Sequence, residues 1–297
     1  MPKSRSAILC ENIARTIVLP KSKTLTEAIL EYRRSTRKQK YDLPLLIRAR
    51  DDIDEIRTDE MKLFYMNVES DTDTLIIYLH GGAYVQEILT LHWLMLDKIT
   101  RHVDAKFIIP DYPLAPFADF RICYDRMTNF YEKCLKYYGN KKIILMGDSA
   151  GGGLCIGLSM YFAQKGLRTP DKLILLSPWV ELQLKDPKLK EYEKSDPTLN
   201  IDELQVDAHY WANGAEQDDY RLSPLYGDVS CLKEVHLFTG SRELFYPDIL
   251  AFNQKLEEKG VPHRLYVGEE LCHVYPAYPI PEAKEAIEQI CQIIKEQ

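Results

Sequence analysis

A chain of 297 residues with 45% hydrophobic side chains is long enough for one large α/β domain or two smaller ones, and its apolar share is ordinary for a globular protein. A formal charge of −7 and a pI of 5.6 argue against a nucleic-acid partner, and the basic cluster Arg33, Arg34, Arg37, Lys38 and Lys40 is short enough to be one solvated helix face. No stretch suits a membrane span, the first residues lack a signal peptide's apolar core, and seven scattered cysteines, an odd number, suit a reducing cytoplasm.

Residues 1 to about 55 are charged, with helical periodicity in Leu25, Ile29 and Tyr32. From about residue 61 strands and helices alternate. Strands are expected at Lys62–Val68, Leu75–Leu79, Lys106–Ile109, Lys142–Met146, Leu173–Leu176, His236–Thr239 and Arg264–Val267, with helices such as Leu89–Arg101, Phe120–Tyr138 and Ala150–Lys165 between them. This order predicts an α/β fold: a mostly parallel sheet with helices on both faces. Residues 184–222 separate two strands by more than a normal crossover, so they and residues 1–55 are expected to form a cap over the strand ends of a single domain. In the second segment, Asp196-Pro197-Thr198-Leu199, Tyr210 and Trp211 could line a pocket, or equally pack cap on core.

Three places carry chemistry. The strand at 75–79 runs into His80-Gly81-Gly82-Ala83, where small residues let backbone N–H groups approach a carbonyl oxygen that gains charge. The run Ile143-Ile144-Leu145-Met146 leads into Gly147-Asp148-Ser149-Ala150-Gly151, a strand, a sharp turn with serine at its apex, and a helix. The glycines are needed because side chains there would collide with neighbouring backbone. Past the next strands, two carboxylates compete to orient a base: Glu243, just beyond the strand end, and Asp248, which could instead cap a helix. A histidine must follow them. His273 lies beyond the last strand and before a helix near Pro281, whereas His92, His102, His209, His236 and His263 fall in segments that suit satisfied or exposed structural roles. No pair of histidines has metal-ligand spacing, Cys272 reads as a packing residue, and no cofactor is called for.

His80-Gly81-Gly82-Ala83, Asp111-Tyr112-Pro113-Leu114-Ala115-Pro116, Gly147-Asp148-Ser149-Ala150-Gly151-Gly152 and Ser177-Pro178-Trp179-Val180-Glu181-Leu182, in that order, resemble the hormone-sensitive-lipase-like (bacterial family IV) esterases of the α/β-hydrolases. The resemblance covers about residue 60 to the C-terminus. It departs from the family where Ala83 replaces a third glycine, where Phe117 replaces an acid, and where the triad acid is a glutamate. It implies a serine carboxylesterase with Ser149, Glu243 and His273 as triad and Gly82, Ala83 and Ala150 as oxyanion donors. In it Gly81 shapes the loop, His80 braces the turn, and Asp148 pins neighbouring loops. A short-chain ester is the implied substrate. The sequence leaves open amide or lactone hydrolysis, acyl transfer, a non-catalytic binding protein on this fold, and a homo-oligomer.

Overall fold

Each apolar run expected to be a strand forms one, within two residues of its expected ends. The computed structural model describes residues 3–17, 23–36, 43–48, 50 and 53–296. Helices α1 (Arg5–Ile17) and α2 (Lys23–Thr36) and the single turn α3 (Leu45–Arg48) precede strands β1 (Ile53–Arg57), β2 (Lys62–Met66) and β3 (Thr74–Leu79). Then come α4 (Thr90–Thr100), β4 (Lys106–Pro110), α5 (Phe120–Tyr138), β5 (Lys142–Asp148), α6 (Ser149–Gln164) and β6 (Lys172–Leu176). Helices α7 (Leu189–Ser195) and α8 (Ile201–Ala212) intervene before β7 (Val235–Gly240), α9 (Tyr246–Glu258), β8 (His263–Gly268) and α10 (Pro281–Lys295).

The strands form one sheet in the order β1-β2-β4-β3-β5-β6-β7-β8, parallel from β4 to β8 and antiparallel at β1 and β2. Both faces are covered. On β3, Leu75, Ile77 and Leu79 join the cluster that holds α5 and α6, while Ile76 and Tyr78 join the one that holds α4 and α10. Alternate residues of a strand point to opposite faces, so an unbroken apolar run is what a doubly covered strand requires. The chain leaves β3 toward β4 on one side and enters β5 on the other, so the loops after β3 and β5 diverge. Such a switch point opens a crevice at the carboxyl ends of the strands. The register sets Leu79 beside Gly147 there, and Asp148 beside Leu176.

Three features differ from expectation. Strand β1 was not foreseen, because Ile-Asp-Glu-Ile-Arg is an exposed, charged edge strand with no apolar face to reveal it. It also begins inside the segment, residues 1–55, expected to belong to the cap. Strand β2 stops at Met66 because Asn67 turns at φ 55°. In α2 the periodic residues Leu25, Ile29 and Tyr32 face outward, and Thr26 and Leu30 are buried instead. Of the basic cluster, Arg33 is half-buried and bonds the Val85 carbonyl and Glu87, and Arg34 is exposed. Arg37, Lys38 and Lys40 lie outside the described residues.

Helix α8 is fixed to the sheet by a stack of rings. Trp211 is fully buried and lies flat on Tyr84 at 4.4 Å, and Tyr84 in turn stacks on Trp179 at 5.8 Å. Emptying that space removes both transfer energy and packing. Trp211→Ala is therefore expected to lower the unfolding free energy by about 3–5 kcal/mol in urea denaturation. A loss near zero would mean that α8 is held by other contacts.

Candidate active site

Strand β5 delivers Ser149 to the crevice in a conformation that few residues adopt, with φ at 50°. The surrounding glycines make the turn possible. A Cβ on Gly147 would lie 2.6 Å from the Gly151 carbonyl oxygen, and one on Gly151 would lie 2.0 Å from that of Leu79. The serine's own carbonyl accepts from the Trp179 N–H at 2.9 Å. Four more non-glycine residues around the site have positive φ: Ala83, Tyr84, Ser177 and Val274.

Asp148, beneath the serine, joins the two loops of the crevice. Its Oδ1 accepts from the Gly81 N–H at 2.9 Å and from the Tyr78 hydroxyl, and its Oδ2 lies 3.2 Å from His92 Nε2. Burial pushes the carboxyl toward the neutral form, but His92, the tyrosine hydroxyl and the Gly81 N–H outweigh that and hold its pKa below the usual value. Gly81 sits so close that a Cβ there would come 2.2 Å from Asp148 Oδ2 and 3.0 Å from Ser149 Cβ. With its N–H engaged by Asp148, Gly81 shapes the loop, while Gly82 and Ala83 face the cavity. Ala150 is buried in the first turn of α6, directly after the serine. His80 bonds the Gly81 carbonyl through Nδ1 and stacks on Tyr112, and burial lowers its pKa to about 4.

His92 is a satisfied structural histidine, as expected, and its partner Asp148 places it beside the serine. Its Nδ1 accepts from the Leu89 N–H at 3.0 Å, so its proton resides on Nε2, which faces Asp148. It also lines the cavity beside Ser149. The other four keep structural roles. His102, His263 and His236 bond Lys98, Val261 and Glu234, and His209 is exposed.

The second half of the site is built around Glu243, which is fully buried. Its Oε1 accepts from Thr239 Oγ1 at 2.8 Å and its Oε2 from Ser177 Oγ at 2.5 Å. His273 Nδ1 lies 3.5 Å from Oε2, an ion-pair separation slightly beyond a formed hydrogen bond. Burial of His273 favours its neutral form, but Glu243, with Asp196 and Asp148 farther off, overrides this and raises its pKa above the ordinary histidine value. Ser177 had been marked only as part of a motif. Its hydroxyl donates to Glu243 and accepts from the Val274 N–H at 2.9 Å, tying the acid to the loop that carries His273. Asp196 acts from the helical segment. Its Oδ1 accepts from Thr198 and Leu199, and its Oδ2 from the Leu244 N–H, next to Glu243.

The contacts that hold Glu243 and His273 come from Thr239, Ser177 and Val274, and Asp248 contributes none of them. It lies in the first turn of α9 near Glu181 and Asp186, and the N-cap position, Phe245, has no side-chain cap, so the expected capping role is absent. Cys272 is a buried packing residue, and all seven cysteines are free thiols. Ser149 and His273 open onto one cavity of about 410 Å³, whose opposite wall comes from Leu199, Glu203, Leu204 and Asp207. Tyr210 and Trp211 do not line it. Trp211 stacks on Tyr84 beside the cavity, and the Tyr210 hydroxyl bonds Glu31 of α2. Among the described residues no cluster of His, Cys, Asp or Glu could hold a metal ion, and no helix is long and apolar enough to cross a membrane.

Residues 76–277 match the model of the alpha/beta hydrolase fold family. The chain belongs to that family. An esterase of Acinetobacter venetianus is 31% identical over 242 residues, 80% of this chain and 78% of that one. A crystal structure of an esterase from the bacterial hormone-sensitive lipase family superposes with a TM-score of 0.83 at 26% identity, covering 100% of this chain and 99% of that one. Human hormone-sensitive lipase is 30% identical over 155 residues, 50% of this chain and 14% of that protein. The hydrolase falls in this hormone-sensitive-lipase-like branch and is a carboxylic ester hydrolase.

Two predictions follow from the geometry around the hydrolase's carboxylates. Ser177→Ala removes a hydrogen bond to a buried carboxylate, worth about 1.5–3 kcal/mol, so kcat is expected to fall roughly tenfold to a hundredfold with KM little changed. Steady-state kinetics on a chromogenic ester measure this. Burial and the carboxylates of Glu181 and Asp186 push the Asp248 pKa up to about 7. A raised folded-state pKa means that stability is full below about pH 4 and is lost as pH rises through about 7. Asp248→Asn should therefore raise the melting temperature at alkaline pH, by the equivalent of roughly a few kcal/mol, and change little in acid. A variant less stable than wild type at alkaline pH would contradict this.

Proposed function

We propose that the hydrolase is a serine carboxylesterase for short-chain acyl esters, with Ser149 as nucleophile, His273 as general base and Glu243 as the orienting acid. The observation that carries this is a serine held at φ 50° that shares a cavity with a histidine whose Nδ1 faces a fully buried carboxylate at 3.5 Å. His273 takes the proton as Ser149 Oγ attacks the ester carbonyl. The N–H groups of Gly82, Ala83 and Ala150 receive the developing oxyanion, on a loop shaped by Gly81. The alcohol leaves with the proton from His273, and water repeats the sequence on the acyl-enzyme. Glu243, with both oxygens engaged by hydroxyl donors, is held in place to stabilise the imidazolium. Glu203 and Asp207, set among the apolar residues of the cavity wall, support the preference for a short acyl chain over a long one. We further assign one domain, with a cap of α1, α2, α7 and α8 drawn from residues 1–55 and 184–222, and a cytoplasmic location supported by seven free thiols.

Ser149→Ala is expected to abolish hydrolysis of p-nitrophenyl esters without loss of fold, and a phosphonate should label Ser149 alone. Residual turnover within about tenfold of wild type would refute the nucleophile. Glu243→Gln should lower kcat by about a thousandfold with little change in KM. The base must be neutral to accept a proton, and its pKa is raised. The acid limb of kcat/KM should therefore have its midpoint above about 6.5, and His273→Ala should cost several orders of magnitude. The butyrate ester should be turned over with higher kcat/KM than a long-chain ester, and the reverse order would count against the substrate assignment.

A further inference from the structure

Charge is divided unevenly along the chain. The first 40 residues hold ten Lys and Arg against three acids, a net of +7, while the other 257 hold 28 against 42, a net of −14. The helices described in that first stretch turn apolar side chains to the outside. On α2, Leu25, Ile29 and Tyr32 are 50%, 37% and 70% exposed, at a spacing that places them on one face. On α1, Ile8, Leu9 and Ile13 are exposed as well. Exposed cations accompany both sets: Arg5 and Arg15 on α1, where Arg15 also donates to the Ser195 carbonyl at 3.0 Å, and Lys23 and Arg34 on α2, where Arg34 lies 3.8 Å from Glu31.

We propose that α1 and α2 dock on an anionic phospholipid surface. A helix that lies in a membrane interface has this layout, with aliphatic side chains toward the acyl boundary, a tyrosine at headgroup level, and Lys and Arg against lipid phosphates. Charge complementarity selects the partner: an anionic surface attracts the basic end and repels the acidic body, which orients the molecule with these helices against the lipid. A second copy is the poorer occupant. A two-fold contact through this face would set one net-positive segment against its duplicate.

The position of α2 gives the docking a use. Glu31 of α2 accepts from the Tyr210 hydroxyl of α8, and Arg33 bonds the Val85 carbonyl and Glu87 on the loop that follows the Gly-rich turn. Helix α8 and that loop both contribute to the cavity wall, through Glu203, Leu204 and Gln86. The proposed membrane face thus lies on the helix that braces the cavity wall, and esters partitioned into the lipid are concentrated beside it. Acyl-length preference is a separate property, set by the cavity.

The test is sedimentation of the full chain with vesicles of phosphatidylcholine alone or mixed with phosphatidylglycerol. Wild type should bind only the mixed vesicles, less as salt is raised. The Leu25→Gln, Ile29→Gln, Tyr32→Gln triple variant and the Lys23→Glu, Arg34→Glu double variant should each bind at least about tenfold less. An unchanged circular-dichroism melt confirms that each variant folds. Wild type that ignores anionic vesicles, equal binding to phosphatidylcholine alone, or both variants retaining full binding would each overturn the proposal. If the triple variant instead converts a dimer to a monomer in light scattering, with vesicle binding unaffected, the face belongs to a second copy and the proposal fails.

Discussion

Asp148 is a charged group almost fully removed from water, and the crevice is arranged around satisfying it. An ionised carboxylate survives burial only with several donors, and these come from three separate parts of the chain: the Tyr78 hydroxyl on β3, the Gly81 N–H on the loop after it, and His92 on α4. Meeting that demand fixes the Gly-rich loop at contact distance from Ser149. The Leu89 N–H that holds His92 Nδ1 draws the start of α4 into the same network. A change that removes the Asp148 carboxylate would take away the acceptor shared by all three donors at once.

Glu243 imposes a similar demand on the opposite side. Ser177 answers it from the end of β6, Thr239 from β7, and Asp196 steadies the next residue from the helical segment. The rings of Trp211, Tyr84, Trp179 and Phe245 continue in sequence to the edge of His273, with Phe245 edge-on to the imidazole at 5.2 Å. Helix α8 and the imidazole are therefore opposite ends of one packed column. Displacing the helix disturbs His273 through contacts rather than through charge.

What the sequence disclosed about this arrangement depended on how local each interaction is. The turn at Ser149 was legible because strand, glycines and serine are contiguous, and each glycine's role follows from backbone collisions within a few residues or with the adjacent strand. Ser177 gave no such sign. Its partners Glu243 and Val274 are 66 and 97 positions away, and a serine before a proline reads as an ordinary turn. The partner of His92 is hidden for the same reason, since its place in a helix is evident but its approach to Asp148 depends on how β3 and β5 pair. Strand β1 and the outward face of α2 were hidden differently. The charged β1 has no apolar face to mark it as a strand, and in α2 the local pattern suggested one burial while the position at the edge of the molecule determined another.

Five residues around the cavity that are not glycine, Ala83, Tyr84, Ser149, Ser177 and Val274, are held at positive φ. Each such conformation costs on the order of 1 kcal/mol or more, and Val274, being β-branched, lies toward the upper end. This energy is stored where the two loops meet and is opposed by the sheet beneath them. The loops that carry Ser149 and His273 therefore keep their shape only while the sheet and the buried carboxylates beneath them hold it, which ties the geometry of the crevice to the integrity of the core.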